Sequence, residues 1–310
     1  MGAFLTLLLL GVPLSVSAQE SRYASDPQLL GAGARSLGVG NAFTAISDDA
    51  TAVYWNAAGL TQLTRGEAQA QHAEQFGGTV NHDILTLGIP TTYGAFGIGL
   101  TSVGVDGIAI TNLEDPARPL TPGNRPIVSG TTGTSDYTLA LGFARQVLQK
   151  LSVGGSLKFI WRNLAAGDGT GYGLDIGAHY IDGPWRLGLL LKDATRTRIT
   201  FDSGAVDRIR PSLVTGIAYR RDFSQISGHL MLATSTIVIA GTSAAEKGQR
   251  LRIGAEYEHH KGIAGRIGVE GDHFTAGAGL EPIEQIRIDI AFLENGDLDN
   301  TYRISASLYF

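Results

Sequence analysis

Lys150 to Arg162 reads KLSVGGSLKFIWR. Leu151, Val153, Leu157, Phe159 and Trp161 fall on one side of a two-residue ladder; Ser152, Ser156, Lys158 and Arg162 fall on the other. Side chains of an extended strand point alternately to opposite faces, so this segment is a strand with one apolar and one polar face. The same alternation recurs in RLRIGAEYE (250–258), EQIRIDIAF (284–292) and TYRISASLYF (301–310). From Glu67 onward about fourteen such segments follow one another, over 67–75, 80–89, 93–103, 136–145, 150–162, 171–181, 184–193, 212–221, 225–236, 249–258, 262–270, 273–281, 284–294 and 301–310. The first is the weakest, because EAQAQHAEQ offers only alanine to its apolar face.

Alternation alone does not say which face meets water. A soluble sandwich turns its apolar faces inward; a membrane barrel turns them outward to lipid. The connections separate the two. Every second connection is short, around Thr91, Val147, Asp182, Asp222, Lys261 and Pro282, whereas the other set contains the long stretches 104–135, 194–211 and 237–248. Outer-membrane barrels have an even strand number, short periplasmic turns and longer external loops. The pattern predicts an all-β fold: a transmembrane antiparallel up-and-down β-barrel of about fourteen strands. A strand ending on Phe310 fits a barrel whose last strand pairs with its first, since a flat apolar edge would be an aggregation hazard in a soluble protein. Tyr302, Ile304, Leu308 and Phe310 resemble the terminal signal by which bacterial barrel-assembly machinery recognises its clients.

Residues 1–18 read as a cleaved signal peptide. An apolar run from Ala3 to Val12 precedes Val16-Ser17-Ala18, and the run is too short to span a bilayer. No Lys or Arg precedes the run, which departs from the usual pattern. Export to the outer membrane of a Gram-negative type of cell is the expected destination. The formal charge of −5 argues against a nucleic-acid partner, and the absence of cysteine excludes disulfides and thiolate metal sites.

Residues 19–65 do not alternate. Gly31, Gly33, Gly38 and Gly40 lack both the preceding strand and the spacing of a dinucleotide loop. They suit close backbone approach. Ser47 or Asp48 is placed to cap a short helix from Ala50 to Tyr54. The stretch ARSLGVGNAFTAISDDATAVYWNAAGL, Ala34 to Leu60, resembles the N-terminal signature of the PorV/PorQ family, which belongs with the wider FadL-like outer-membrane proteins. One position departs: Ala57 stands where that signature carries proline. The ending NTYRISASLYF is also similar to the family's last strand. The resemblance implies that 19–65 form a plug, or hatch, inside the barrel of 66–310, with Asp48, Asp49, Trp55 and Asn56 in that plug. It implies passive transport of hydrophobic small molecules across the outer membrane. The alternative it implies is an adaptor of a type IX-like secretion machinery that binds exported proteins through external loops.

No catalytic set stands out: there is no G-x-S-x-G elbow and no H-E-x-x-H. No enzyme activity, cofactor or metal is expected. His259-His260 lies beside a turn, and NGDLDN (295–300) lacks the spacing and distal glutamate of an EF-hand. Strand parity turns Lys158, Arg162, Asp175, His179, Arg186, Lys192, Arg252, Glu256, Arg266, Glu270, Arg287, Asp289 and Arg303 toward the lumen. Interspersed signs suit a network bracing plug and wall, because buried charges need partners; a solute-selecting ring is the other reading. Gly154, Gly173, Gly177, Gly188 and Gly254 share that inward face.

Overall fold

The computed structural model describes residues 27–164, 167–239, 251–296 and 299–310. The expected signal peptide and the first residues of the plug lie outside these. The strands are β1 (Glu67–Gln75), β2 (Val80–Thr91), β3 (Gly94–Leu113), β4 (Pro126–Leu148), β5 (Leu151–Leu164), β6 (Gly167–Asp182), β7 (Trp185–Lys192), β8 (Arg198–Phe201), β9 (Val206–Arg208), β10 (Ser212–Phe223), β11 (Gly228–Ile239), β12 (Arg252–His259), β13 (Ile263–Glu270), β14 (His273–Ile283), β15 (Ile286–Leu293) and β16 (Thr301–Tyr309). All but β8 and β9 form a closed antiparallel barrel of fourteen strands, each paired with its neighbour in sequence and β16 with β1. Closure runs to the final residue: the Phe310 N–H donates to Gly66 O at 2.9 Å and the Gly66 N–H to Phe310 O at 2.8 Å.

Two expected loops contain strand. Stretch 104–135, expected as a loop rich in Gly, Pro and Thr, is largely a two-stranded continuation of β3 and β4. Its Ile108, Ile110, Ile127 and Val128 supply β-branched side chains that suit a pleated ribbon. Pairing with β2 ends at Gly104 and pairing with β5 at Ser135, so the ribbon beyond stands clear of the wall. Within 194–211 lies the β8–β9 hairpin, whose β8 pairs with β6 over Gly169–Tyr172, beyond the end of β7.

The outward face carries the apolar residues. Leu141, Leu157, Leu189, Ile217, Ile253, Ile267, Ile290 and Ile304 are all exposed there. Aromatic rings border this band at both ends. Phe96 and Phe143 touch with centroids 4.9 Å apart, and Trp185 and Tyr219 at 4.8 Å, near the short turns. Tyr137, Trp161, Tyr172 and Tyr302 lie toward the long connections. A lipid-facing band between two aromatic girdles is the signature of a membrane-spanning barrel. Among the described residues no helix is long and apolar enough to cross a membrane; the strands make the crossing. By the lengths of the connections, the girdle near the long ones faces outside.

β1 is the exception to the apolar exterior. Its Glu67, Gln69, Gln71 and Gln75 turn inward, leaving Ala68, Ala70, His72 and Glu74 outside. His72 Nδ1 lies 2.7 Å from Asp83 Oδ1 on the neighbouring strand, near the outer end of the wall.

Residues 27–66 fold inside the barrel. They comprise a 3-10 turn (Pro27–Leu29), helix α1 (Ala34–Gly38), helix α2 (Ala52–Trp55) and a 3-10 turn (Ala57–Gln62). The short helix begins later than expected, and neither Ser47 nor Asp48 caps it. Thr51 is its N-cap; the Asp49 carboxylate accepts the Thr51 N–H at 3.0 Å. Ser47 is held at a positive φ of 35° and donates its hydroxyl back to Phe43 O, while Asp48 is taken by arginines.

Candidate functional site

The plug packs closely against the barrel wall because the wall is glycine where the two meet. A Cβ at Gly188 would run into the Thr44 carbonyl, one at Gly254 into Val39, and one at Gly154 into the Ala57–Ala58 peptide. Between these contacts Phe43, Ile46, Leu37 and Leu60 are fully buried. Trp55 is 5% exposed, packs against Phe43 and Tyr54, and donates its indole N–H to Ala32 O at 2.8 Å. Asn56 is wholly buried. Its amide donates to Thr44 O at 3.2 Å and to Ala178 O on the wall at 3.1 Å, and its side-chain oxygen accepts from the Ala58 N–H. Asn56 thus caps the following 3-10 turn and ties it to β6.

Ionic contacts bind plug to wall. Arg35, in α1, donates through Nε and Nη2 to both carboxylate oxygens of Glu256 at 2.8 Å each, a bidentate pairing. Its Nη1 reaches Asp48 at 2.6 Å and Asp49 at 3.4 Å. Asp48 is shared with Arg186 of β7 at 3.1 Å. The network continues along the wall from Glu256 to Arg266 (2.6 Å), Arg266 to Asp289 (2.8 Å) and Asp289 to Arg287 (3.1 Å). A second set lies toward the outer end. Lys158 bridges Asp175 and Asp193, Arg162 pairs with Asp136, and Arg252 pairs with Glu270, which also accepts from Asn41 of the plug at 2.7 Å. His179 reaches Ala45 O, and Lys192 donates to Gln28 O.

The two adjacent plug carboxyls titrate in opposite directions. Burial alone would raise Asp48, but Arg35 and Arg186 outweigh it and hold the carboxyl below its ordinary range. Burial pushes Asp49 up; Arg35 opposes this from its greater distance, and the Asp48 charge adds to the rise.

Above the plug, toward the long connections, a cavity of about 310 Å³ opens. Leu29, Leu30 and Leu37 of the plug and Phe76 and Leu293 of the wall give it apolar surface; Gln75, His273 and Asn295 rim it. Arg303, 3% exposed, sits at its edge. Unlike the arginines just named, Arg303 meets no carboxylate among the described residues: it donates to Gly33 O at 3.1 Å and Leu30 O at 2.8 Å, both plug carbonyls. The sequence pattern placed Arg303 on the inner wall but gave no sign that it clasps plug backbone. Leu29, Leu30 and Phe76 were missed as lining, because neither the turn Pro27–Leu29 nor the left-handed Phe76 (φ 53°) carries a periodic signal.

The remaining candidates lie apart. Tyr302, Ile304 and Leu308 face outward on β16, and Phe310 is exposed with its ring against Gly66. His229, Glu256 and Glu258 bring ligand atoms within 4.8 Å of one another, a grouping not visible in sequence. Yet Glu256 is engaged by Arg35 and Arg266, and Glu258 by Arg287, so their charge is already met by guanidinium.

A family model described as an uncharacterised protein family, UPF0164, matches residues 15–175, just over half of the chain. Among curated proteins none matches. Solved structures are similar along nearly the whole chain. The CymD monoaromatic hydrocarbon channel is 16% identical with a TM-score of 0.63, covering 91% of this chain and 98% of that one. The Pseudomonas putida toluene transporter TodX is 15% identical with a TM-score of 0.59, covering 90% and 97%. A Pseudomonas aeruginosa FadL homologue is 11% identical with a TM-score of 0.52, covering 88% and 97%. At these identities the likeness is one of fold.

Proposed function

The chain belongs to the uncharacterised protein family UPF0164, and from that premise and its fold we propose a passive outer-membrane channel for hydrophobic small molecules. The observation that carries this reading is the cavity of about 310 Å³ at the outer mouth, where leucines of the plug meet Phe76 and Leu293 in an apolar patch within an otherwise polar lining. On this reading a solute entering from outside rests on Leu29 and Leu30 and goes further when the plug shifts. A monoaromatic hydrocarbon channel and a toluene transporter share the fold, which supports the solute class. Export through the N-terminal signal and insertion by barrel-assembly machinery that reads Tyr302, Ile304, Leu308 and Phe310 complete the proposal. A strain lacking the gene should take up labelled alkylbenzenes or long-chain fatty acids more slowly than the same strain carrying it; equal uptake would overturn the channel reading.

The PorV/PorQ part of the resemblance rests on Ala34–Leu60 and on the last strand. Its adaptor role would draw on one observation, the free β3–β4 ribbon with Ile108, Ile110, Ile127 and Val128 exposed. Trimming residues 105–134 should abolish recovery of a bound exported protein if that role holds and leave solute uptake unchanged.

A further inference from the structure

The plug meets the wall in two different ways. Toward β7, β12 and β13 the contact is backbone on glycine: the Thr44 carbonyl lies against Gly188, Val39 O against Gly254 and Gly40 N against Gly268. Toward β2, β3 and β4 it is side chain on glycine. A Cβ at Gly97 would meet Leu60 Cδ1 at 2.8 Å and Val53 Cβ at 3.0 Å, and one at Gly142 would meet Val53 Cγ2 at 2.9 Å; Leu63 Cδ1 lies against Gly88. Gly88, Gly97 and Gly142 pair in one row across the three strands, with Thr86, Gly99 and Ala140 in the inward row above. Planar peptides cannot turn aside, whereas the ends of leucine side chains move between staggered rotamers, so this sector opens at the lower cost.

Directly above the glycine row a small enclosed cavity of about 10 Å³ lies between Tyr54 of α2 and the wall residues Thr86, Thr101, Thr138 and Ser156. Thr86 is 5% and Ser156 2% exposed, and among the described residues neither hydroxyl has a hydrogen-bond partner. The two charged residues of the lining, Lys158 and Asp175, pair with each other at 2.8 Å. Gln28 lines this cavity too, and Leu29 and Leu30, next in the chain, line the outer mouth. At the lower end Leu63 is followed by exposed Thr64 and Arg65. Mouth, hydroxyl cavity and glycine row therefore follow one another from the outer side to the side of the short turns. A buried hydroxyl left unpaired costs free energy that a solute's polar group recovers and a bare hydrocarbon does not.

We propose that solutes cross along this seam, between Val53, Leu60 and Leu63 of the plug and the inner faces of β2, β3 and β4, and that Thr86 and Ser156 select a neutral solute with an apolar body and one hydrogen-bonding group over the bare hydrocarbon. The proposal rests on the channel reading above and gives it a route and a solute class. It holds whether the seam opens by these side chains alone or by a tilt of the plug.

Single cysteines in the otherwise cysteine-free chain test it. Val53 and Val39 are matched plug valines, 2% and 1% exposed, on the β2–β4 and β12–β13 sides respectively. In the folded full-length protein, benzyl methanethiosulfonate should modify Val53→Cys about tenfold faster than Val39→Cys, because the seam opens more readily. p-Cresol should slow the reaction at Val53→Cys at about tenfold lower concentration than toluene, the effect of one neutral hydrogen bond of about 1.4 kcal/mol. Thr86→Val with Ser156→Ala should erase that difference. Once modified, Val53→Cys should lose most of the p-cresol uptake it shows before labelling, and a reductant should restore it. Leu60→Cys gives a second reading lower in the seam, and heat-modifiable gel mobility reports folding of every variant. Equal reaction rates at the two valine positions, equal protection by the two solutes, an unchanged difference in the folded double variant, or undiminished uptake after modification overturns the proposal and leaves the channel reading standing. Equal uptake with and without the wild-type gene overturns the channel reading itself, and the seam with it.

Discussion

Ala57 opens a 3-10 turn, follows Asn56 in extended conformation (φ −169°, ψ 98°), and its N–H has no backbone acceptor. Those are the conditions under which proline fits: a fixed φ, a dispensable donor and an extended residue before it. Ala57→Pro should therefore stabilise the folded barrel, by about 0.4–1 kcal/mol through a less flexible unfolded chain. The midpoint of urea unfolding in detergent measures this; a lower midpoint would show that the ring collides with the wall near Gly154. Nearby, Asp48 and Asp49 should behave as opposites although they are neighbours. Asp48 is shared by Arg35 and Arg186, and its folded-state pKa is depressed. Its stabilisation is present above the ordinary carboxylate value of about 4 and is lost as pH falls through the lower folded value. Asp48→Asn should cost about 1–3 kcal/mol, since Arg186 then keeps only the Gln62 side-chain oxygen while Arg35 retains Glu256. For Asp49 the folded pKa is raised, so its contribution is present below the ordinary value and is lost as pH rises through the folded one. Asp49→Asn should leave stability unchanged or improved at neutral pH, because the amide oxygen still accepts the Thr51 N–H. Protease resistance of the plug across pH separates the two variants; equal loss in both would contradict this account.

Among the elements, β16 is one whose reading from sequence and whose geometry coincide residue by residue. Tyr302, Ile304, Ala306 and Leu308 lie outward and Arg303, Ser305 and Ser307 inward, because a two-residue period leaves no other register once one face meets lipid. Deleting Phe310 removes its backbone pair with Gly66 and the ring that Gly66 admits. The compact, heat-modifiable form should become scarcer while the exported chain remains in the same amount; an undiminished compact fraction would remove Phe310 from the assembly signal. β1 carries the weakest signal yet keeps the expected bounds: its inward face is glutamate and glutamine, and its outward face offers alanine, His72 and Glu74 in place of large aliphatics. β8 and β9 escaped notice for a plainer reason. Strands of four and three residues, RITF and VDR, span at most two cycles of alternation, too few to stand out from a loop. The upper β3–β4 ribbon was hidden by its Gly, Thr and Asn, which read as loop although their backbone pairs continue to Leu113 and Pro126.

At the scale of the whole molecule, the wall was legible and the interior was not. Each wall strand states its two faces locally, whereas the plug is held by partners far away in sequence: Arg35 meets Glu256, Asn41 meets Glu270, and Arg303 meets Leu30 and Gly33. Only the inward glycines, such as Gly188 and Gly254, hinted at close approach, and a glycine does not say what approaches it. For the proposed channel, close packing of plug against wall predicts that passage requires plug movement. That prediction can be tested directly, because the chain has no cysteine of its own. A Cβ at Gly216 on β10 would stand 3.3 Å from that of Ala45 in the plug, just under the roughly 3.5–4.5 Å usual between disulfide-linked Cβ atoms. Ala45→Cys with Gly216→Cys should therefore form a cross-link under oxidation with only a small local adjustment. If the plug must move, oxidised protein should lose solute uptake and recover it on adding a reductant, with either single variant insensitive to both. If the cross-linked barrel transports as fast as the reduced one, solutes pass without displacing this part of the plug, and the route must be sought along a plug face away from Ala45.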